Sequence, residues 1–446
     1  MKRRLLSAFL AVMMVLTMAP VAFAADEGGT TGVAKIGDVE YPTLQAAVDA
    51  ANNGDTIVLK KSISATEIGE KKQLQFVKAD MNVTLDLNQN TITAEAGEAI
   101  AINAANITLT VKNGTIENFA EGNYSDGVYA YKESNNLTLT FESVVLKSRT
   151  QGLAVQGLTS NSNVNIVNSK ITSAEELGIY YPPKSGTLTI SDSEITGVTG
   201  IVVKGSNLVV KGEKTIISGT GPNVDPETYY TGATDGSSTL TETGDALYIE
   251  SGYNDRDISV SISGGHLNSK SAKAVRMFVK NGENTSAKRE ISVTGGTFSS
   301  DVSAYVAEGY VQNENGTVEQ LGETNAVAKI DDTYYKTLAD AVAAANDGKT
   351  VTLLKNVVLN STLTLNKSMT LDLNGCKISN GSTMGTDYLV SIAANADVSI
   401  VGNKENSKIS DSRSNAQGTI TAVVVYGKLT VAGDNLTISR GANGIA

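Results

Sequence analysis

Residues Ala34–Lys61 read AKIGDVEYPTLQAAVDAANNGDTIVLKK, and 294 positions later Ala328–Lys355 read AKIDDTYYKTLADAVAAANDGKTVTLLK, aligned without a gap. Each copy reads as a short strand, one amphipathic helix and the first strand of a sheet. In the first copy Leu44, Ala47, Val48 and Ala51 fall at i, i+3, i+4 and i+7, an apolar stripe on about two helical turns. Thr43 is placed as N-cap and Gly54 as the left-handed stop. The second copy keeps the stripe at Leu338, Ala341, Val342 and Ala345, with Thr337 as cap, Gly348 as stop and Asp340 adding a capping-box-like carboxylate. Such a stripe is suited to covering the end of something apolar.

What it covers shows downstream. Short alternating runs begin at Val83 (VTLDL), Ile107 (ITLTV), Leu137 (LTLTF), Val164 (VNIV), Leu188 (LTIS) and Leu208 (LVV), with starts 24, 30, 27, 24 and 20 residues apart, and later at Ile258 (ISVSI) and Ile291 (ISVTG). A second set follows a glycine: Gly127 (GVYAY), Gly152 (GLAV), Gly178 (GIYY) and Gly200 (GIVV). Turn-like links NGTI, NSKI and DSEI, from Asn113, Asn168 and Asp192, lie between the two sets. Period-two alternation buries one side of each run. A loosely kept period with several short strands and one Asn/Asp/Gly turn per period marks a solenoid coil. A β-sandwich also has many short strands but needs no recurring order of links. The expected interior is an aliphatic column through Val83, Leu85 and Leu87, then Ile107, Leu109 and Val111, then Leu137, Leu139 and Phe141. Its first rung would expose bare core and unpaired backbone, and the helix at Thr43–Ala51 is the expected plug.

The expected organisation is a signal peptide at 1–24, a linker at 25–32, a first capped β-helix at 33–312, a linker at 313–325, and a second capped β-helix at 326–446 that stops inside a rung. The basic start, apolar middle and Ala22-Phe-Ala24 exit of the first segment predict export and cleavage, hence a secreted or cell-wall location. The ending GANGIA is expected to mark a fragment of a longer protein. Cys376 is the single cysteine, so no internal disulfide is available. Net charge is −11, and removing Lys2, Arg3 and Arg4 takes it to −14. That surface argues against nucleic acid and against anionic membranes. No later stretch reaches the length of a membrane span, and a monomer is expected.

Outward positions of the first strand set are mostly Thr and Ser, such as Thr84, Thr108, Thr138 and Ser259, the pattern of a solvated exterior. The glycine-led set differs. The parity that turns Val128 and Ala130 inward turns Tyr129 and Tyr131 outward, with Tyr180, Val202 and Lys204, Tyr248 and Glu250, and Arg276, Phe278 and Lys280. Aromatic faces can stack on sugar C–H faces, so Tyr129, Tyr131, Tyr180, Lys204, Tyr248, Arg276 and Phe278 form a candidate ligand-binding strip. The alternative is that these rings lie under loops such as Gly219–Thr243. Glu175, Glu176, Asp192 and Arg149, with Asp126 and Lys204, are weak catalytic candidates, because turn carboxylates usually serve turn chemistry. His266 is the only histidine and supports neither a zinc cluster nor a Ser/His/Asp order.

The YPTLQAAVDAANNGDTIVL segment followed by stacked short strands resembles the start of a right-handed parallel β-helix of the pectin-lyase-like class. With the signal peptide, the SGGH and TGGTF segments at Ser263 and Thr294 resemble surface proteins of gut-dwelling Gram-positive bacteria. The resemblance implies fold over nearly the whole mature chain. It leaves activity open, because that class holds lyases, hydrolases, esterases and non-catalytic adhesins. Its lyases imply a Ca²⁺ site of several carboxylates beside an Arg or Lys base, and its hydrolases imply Asp pairs on adjacent coils. This chain has no Ca²⁺ motif and no Asp pair repeated at rung spacing. The expected function is a non-catalytic, adhesin-like protein presenting the strip to polysaccharide or host-surface glycan. A polysaccharide lyase or hydrolase is the alternative, and a pure spacer is a third reading.

Overall fold

The computed structural model describes residues 32–122, 124–229, 242–250, 256–279, 287–413, 420–440 and 443–445. The expected signal peptide, nearly all of the linker 25–32, and Lys280 lie outside these residues. The fold is all-β, a parallel β-solenoid of about 13 turns. The described residues divide into two compact units, one up to Val302 and one from Ser303 onward.

In the first unit the alternating runs stack in parallel register. One inward column passes through Ile57, Leu85, Val111, Phe141, Ile166, Ile190, Val210, Ile262 and Val293. A second, after the Asn/Asp corner, passes through Ile92, Ile116, Leu146, Ile171, Ile195, Ile217, Leu267 and Phe298. All of these side chains are buried. The third side of the coil is an eight-stranded sheet made by Leu74–Phe76, Glu98–Ile102, Asp126–Ala130, Leu153–Val155, Leu177–Tyr181, Thr199–Val203, Leu247–Glu250 and Val275–Phe278.

Left-handed residues turn the corners. Asn113, Ser143, Asn168 and Asp192, at φ of 58°, 57°, 46° and 48°, stack at one. Asp80, Asn106, Asn136 and Asn161 sit at another, with positive φ throughout. Their side chains form a ladder: Asn106 Nδ2 donates to Asp80 Oδ1 (2.6 Å), Asn136 Nδ2 to Asn106 Oδ1 (2.8 Å) and Asn161 Nδ2 to Asn136 Oδ1 (3.2 Å). Asparagine tolerates this backbone and bonds locally, so the N-x-T triplets are corners followed by strands.

The cap helix spans Leu44–Ala50, with Thr43 Oγ1 accepting from Ala46 N at 3.2 Å. Leu44, Ala47, Val48 and Ala51 are buried against the first turn. Ala51 already ends the helix in extended conformation. Gly54, at φ 92°, instead makes the turn into strand Thr56–Leu59, donating to Asn82 O at 2.7 Å.

In the second unit Leu338–Ala344 repeats the helix, again ending in an extended alanine, Ala345. Coils of the same kind follow, through Val351, Leu371, Ile400 and Val431 in one register. The stretch 313–325, expected as a bare link, holds strand Thr317–Gln320, antiparallel to Tyr310–Gln312. Cys376 is a half-buried free thiol in a turn that packs on the core, and burial raises its pKa. His266 is an exposed strand residue in register with Thr297.

Candidate functional site

The eight-stranded sheet owes its shape to the glycines that open its strands. A Cβ on Gly127, Gly152, Gly178 or Gly200 would come within 2.4–2.5 Å of the carbonyl oxygen one rung on. It would also press on Leu146, Ile171, Ile195 or Ile217 of the preceding column, at 2.4–2.9 Å. Glycine therefore lets the chain turn tightly over its own core, with the residue before it facing outward and the residue after it inward. Outward side chains consequently come in rows. Gln75, Ala101, Tyr129, Ala154, Tyr180, Val202, Tyr248 and Arg276 form one continuous register. A flanking row holds the residues before the corner, including Glu98, Asp126, Gln151, Leu177, Thr199 and Asp245.

The strip falls into two halves. The first is open. Tyr129 and Tyr131 are half-buried, their ring centroids 4.7 Å apart and tilted by 56°. On the rungs to either side of Tyr129 stand only Ala101 and Ala154, so the ring rises above its neighbours. Tyr131 Oη donates to Glu98 at 2.5 Å, and burial together with that bond raises the phenol's pKa. Asp126 is buried beside them, its Oδ1 accepting from Thr150 Oγ1 (2.5 Å) and Gln151 N (2.9 Å). Burial holds its carboxyl above the usual range, and Glu98 adds to the effect. Glu176 is raised likewise, by burial first and then by Glu242 and Asp126.

The second half is closed, which corrects the expectation for Lys204 and Tyr248. Their parity is outward as expected, yet Val202, Lys204, Tyr248 and Glu250 are all at most 1% exposed. Lys204 Nζ lies 2.9 Å from Glu250 Oε2 and 5.7 Å from the centroid of the Tyr180 ring. Leu177, Val202 and Tyr248 form a small apolar cluster outside the coil interior, with Tyr180 and Phe278 packed on it. The cause is the excursion between Gly219 and Thr243, whose described ends lie over the sheet. Thr243 N donates to Thr199 Oγ1 at 2.8 Å, and Arg276 Nη2 donates to Asn223 Oδ1 at 2.6 Å. Arg276 Nε also pairs with buried Asp245 at 2.7 Å, so its guanidinium is held in place. Buried Arg256 donates to the Pro182 carbonyl and lies against Gly205. The alternative reading of rings beneath a loop therefore describes this half, and the stacking reading survives only for the other.

The weak catalytic set does not assemble. Asp192 stands at the Asn/Asp corner, where Lys214 N approaches its Oδ1 at 3.4 Å, on a different edge of the coil from Asp126. Arg149 pairs with Glu175 at 3.0 Å and donates to the carbonyls of Ala120 (3.1 Å) and Gly122 (2.5 Å). It clasps the loop that precedes strand Asp126–Ala130. Glu176, Asp126 and Glu175 do share that edge. Among the described residues no three His, Cys, Asp or Glu groups are placed to hold a metal ion.

Phe119 and Tyr124, 51% and 63% exposed, sit in the loop that Arg149 clasps and add aromatic surface beside the open half. Glu98 also belongs to the site. Sequence reading passed over all three because they lie in a link or before a corner. The signal available for Glu98 was register, since it precedes Ala99 as Asp126 precedes Gly127.

No family model matches the chain, and no curated protein matches it. Among solved structures it is similar to a variant of the PL6-family alginate lyase AlyGC, at 11% identity and a TM-score of 0.18 over 89% of this chain and 75% of that one. A likeness of that size carries no argument about activity or substrate.

Proposed function

We propose that this is an exported β-solenoid protein that binds polysaccharide across the open half of the strip, over Tyr129 and Tyr131. The observation that carries the reading is the tilted tyrosine pair standing above Ala101 and Ala154, with Glu98 fixing one hydroxyl. Offered faces of this kind stack on sugar rings, while carboxyl and amide groups at the rim meet hydroxyls. The same face, exposed and rimmed by charge, favours a binding role over that of an inert spacer.

Affinity electrophoresis of the full chain through gels containing dissolved glycans tests this. Tyr129→Ala with Tyr131→Ala is expected to weaken retention by roughly one to two orders of magnitude, from about 1–3 kcal/mol of lost ring contact. Thr84→Ala, on the solvated Thr/Ser face, is expected to change nothing. Equal retention of the double variant and the wild type would remove the reading. Asp126 and Glu176, both held above the usual carboxyl range, favour a second reading, a polysaccharide-cleaving enzyme. Reducing-end release from a retained glycan, lost in Asp126→Asn, would establish it.

A further inference from the structure

Resting on that reading of the open half, the arrangement of charge narrows the glycan. We infer that the sugar chain held over Tyr129 and Tyr131 is uncharged, and that polyuronates are turned away. Recognition of a sugar carboxylate calls for an Arg or Lys whose donors are available, best of all a bidentate guanidinium. Three of the cations beside the strip are engaged, while Lys132 and Lys273 stay exposed. Arg149 commits one N–H from each of its three nitrogens, to Glu175 and to two backbone carbonyls. Lys204 is buried against Glu250, and Lys132 at the rim lies 3.7 Å from Glu133. Arg276 is tied to Asp245 and Asn223.

Carboxylates, by contrast, outnumber cations at this edge, where Arg149 is the one cation acting on Asp126 and Glu176 among the described residues. Glu98 and Asp126 are in register on adjacent rungs, and their bonds go to a phenol, a hydroxyl and a backbone amide. Glu176 and Glu242 stand at the same edge, close enough that Glu242 pushes the Glu176 carboxyl upward. None of these four is in an ion pair among the described residues. A polyuronate laid along the tyrosines would bring one negative charge per sugar into a low-dielectric edge that already carries like charge. An uncharged sugar meets the same groups as hydroxyl acceptors at no such cost.

The full chain is run by affinity electrophoresis at about 0.15 M salt against barley β-glucan, galactomannan and xyloglucan, and against polygalacturonate and alginate. The expected result is retention on at least one neutral glycan, lost in Tyr129→Ala with Tyr131→Ala, and none on either polyuronate. Polyuronate retention that the tyrosine substitutions abolish would overturn the inference while leaving the tyrosine site standing. Neutral-glycan retention that ignores those substitutions, or no retention on any neutral glycan, would overturn both.

Discussion

Substituting Glu250 tests whether the second half of the strip is closed. Lys204 and Glu250 have side chains 2% and 1% exposed, with Nζ and Oε2 2.9 Å apart. At an effective dielectric of ~20 that separation corresponds to about 6 kcal/mol of attraction, set against the desolvation of both ions. Glu250→Gln strands a buried ammonium beside the Tyr180 ring, and stranding one member of a buried pair costs about 3–5 kcal/mol. Lys204→Met strands the carboxylate at similar cost. Replacing both, as Lys204→Met with Glu250→Gln, removes the two charges together, and stability is expected within about 1 kcal/mol of wild type or above it. The assay is guanidinium unfolding of the wild type, both single variants and the double variant, followed by far-UV circular dichroism, so that the coupling between the sites is read from the complete cycle. In thermal scans the single variants should melt roughly 6–20 °C lower. Single substitutions costing under about 1 kcal/mol, the value for exposed pairs, would refute the reasoning and return Lys204 to the accessible surface.

Three further outcomes follow from the corner that carries the site. Gly152→Ala drives a methyl to 2.4 Å from both Gly178 O and Ile171 Cγ2, and calorimetry should show a loss of about 1–3 kcal/mol. Gly97→Ala, with nothing within 4 Å, should be neutral or stabilising by up to about 1 kcal/mol. Asp126→Asn keeps an oxygen for both donors that converge on Asp126 Oδ1 and removes a carboxylate that burial disfavours. Because the native carboxyl is raised above its unfolded value, its stabilising contribution is complete below the unfolded pKa and is lost as pH rises through the native one. The variant should thus exceed wild-type stability at neutral pH, and the gain should vanish as pH falls into the ordinary carboxyl range. A gain that persists in acid would show that Asp126 is not the cause.

How far the sequence alone could reach depends on whether a property is local. The inward column was legible because alternation fixes which side chains share a face, and Leu85, Val111 and Phe141 then have nowhere to go but the coil interior. The corners were legible because Asn106 and Asn136 adopt left-handed backbone more readily than other side-chain-bearing residues. The helix end was legible to within a residue, but its stop was not, since extended Ala51 ends the helix before Gly54 is reached. Wetness was not legible at all. Tyr129 and Tyr248 share one register row and one parity, yet Tyr129 is half-buried and Tyr248 is 1% exposed. What separates them, among the described residues, is contact made on the sheet by the ends of the Gly219–Thr243 segment, where Asn223 meets Arg276 and Thr243 meets Thr199, partners remote from one another in the chain. Among the described residues, Tyr129 and Tyr131 stay half-buried with Glu98 and Asp126 beside them. A solenoid repeats its outward positions at every rung, and in this chain the loop lying over some of them decides which can take a ligand.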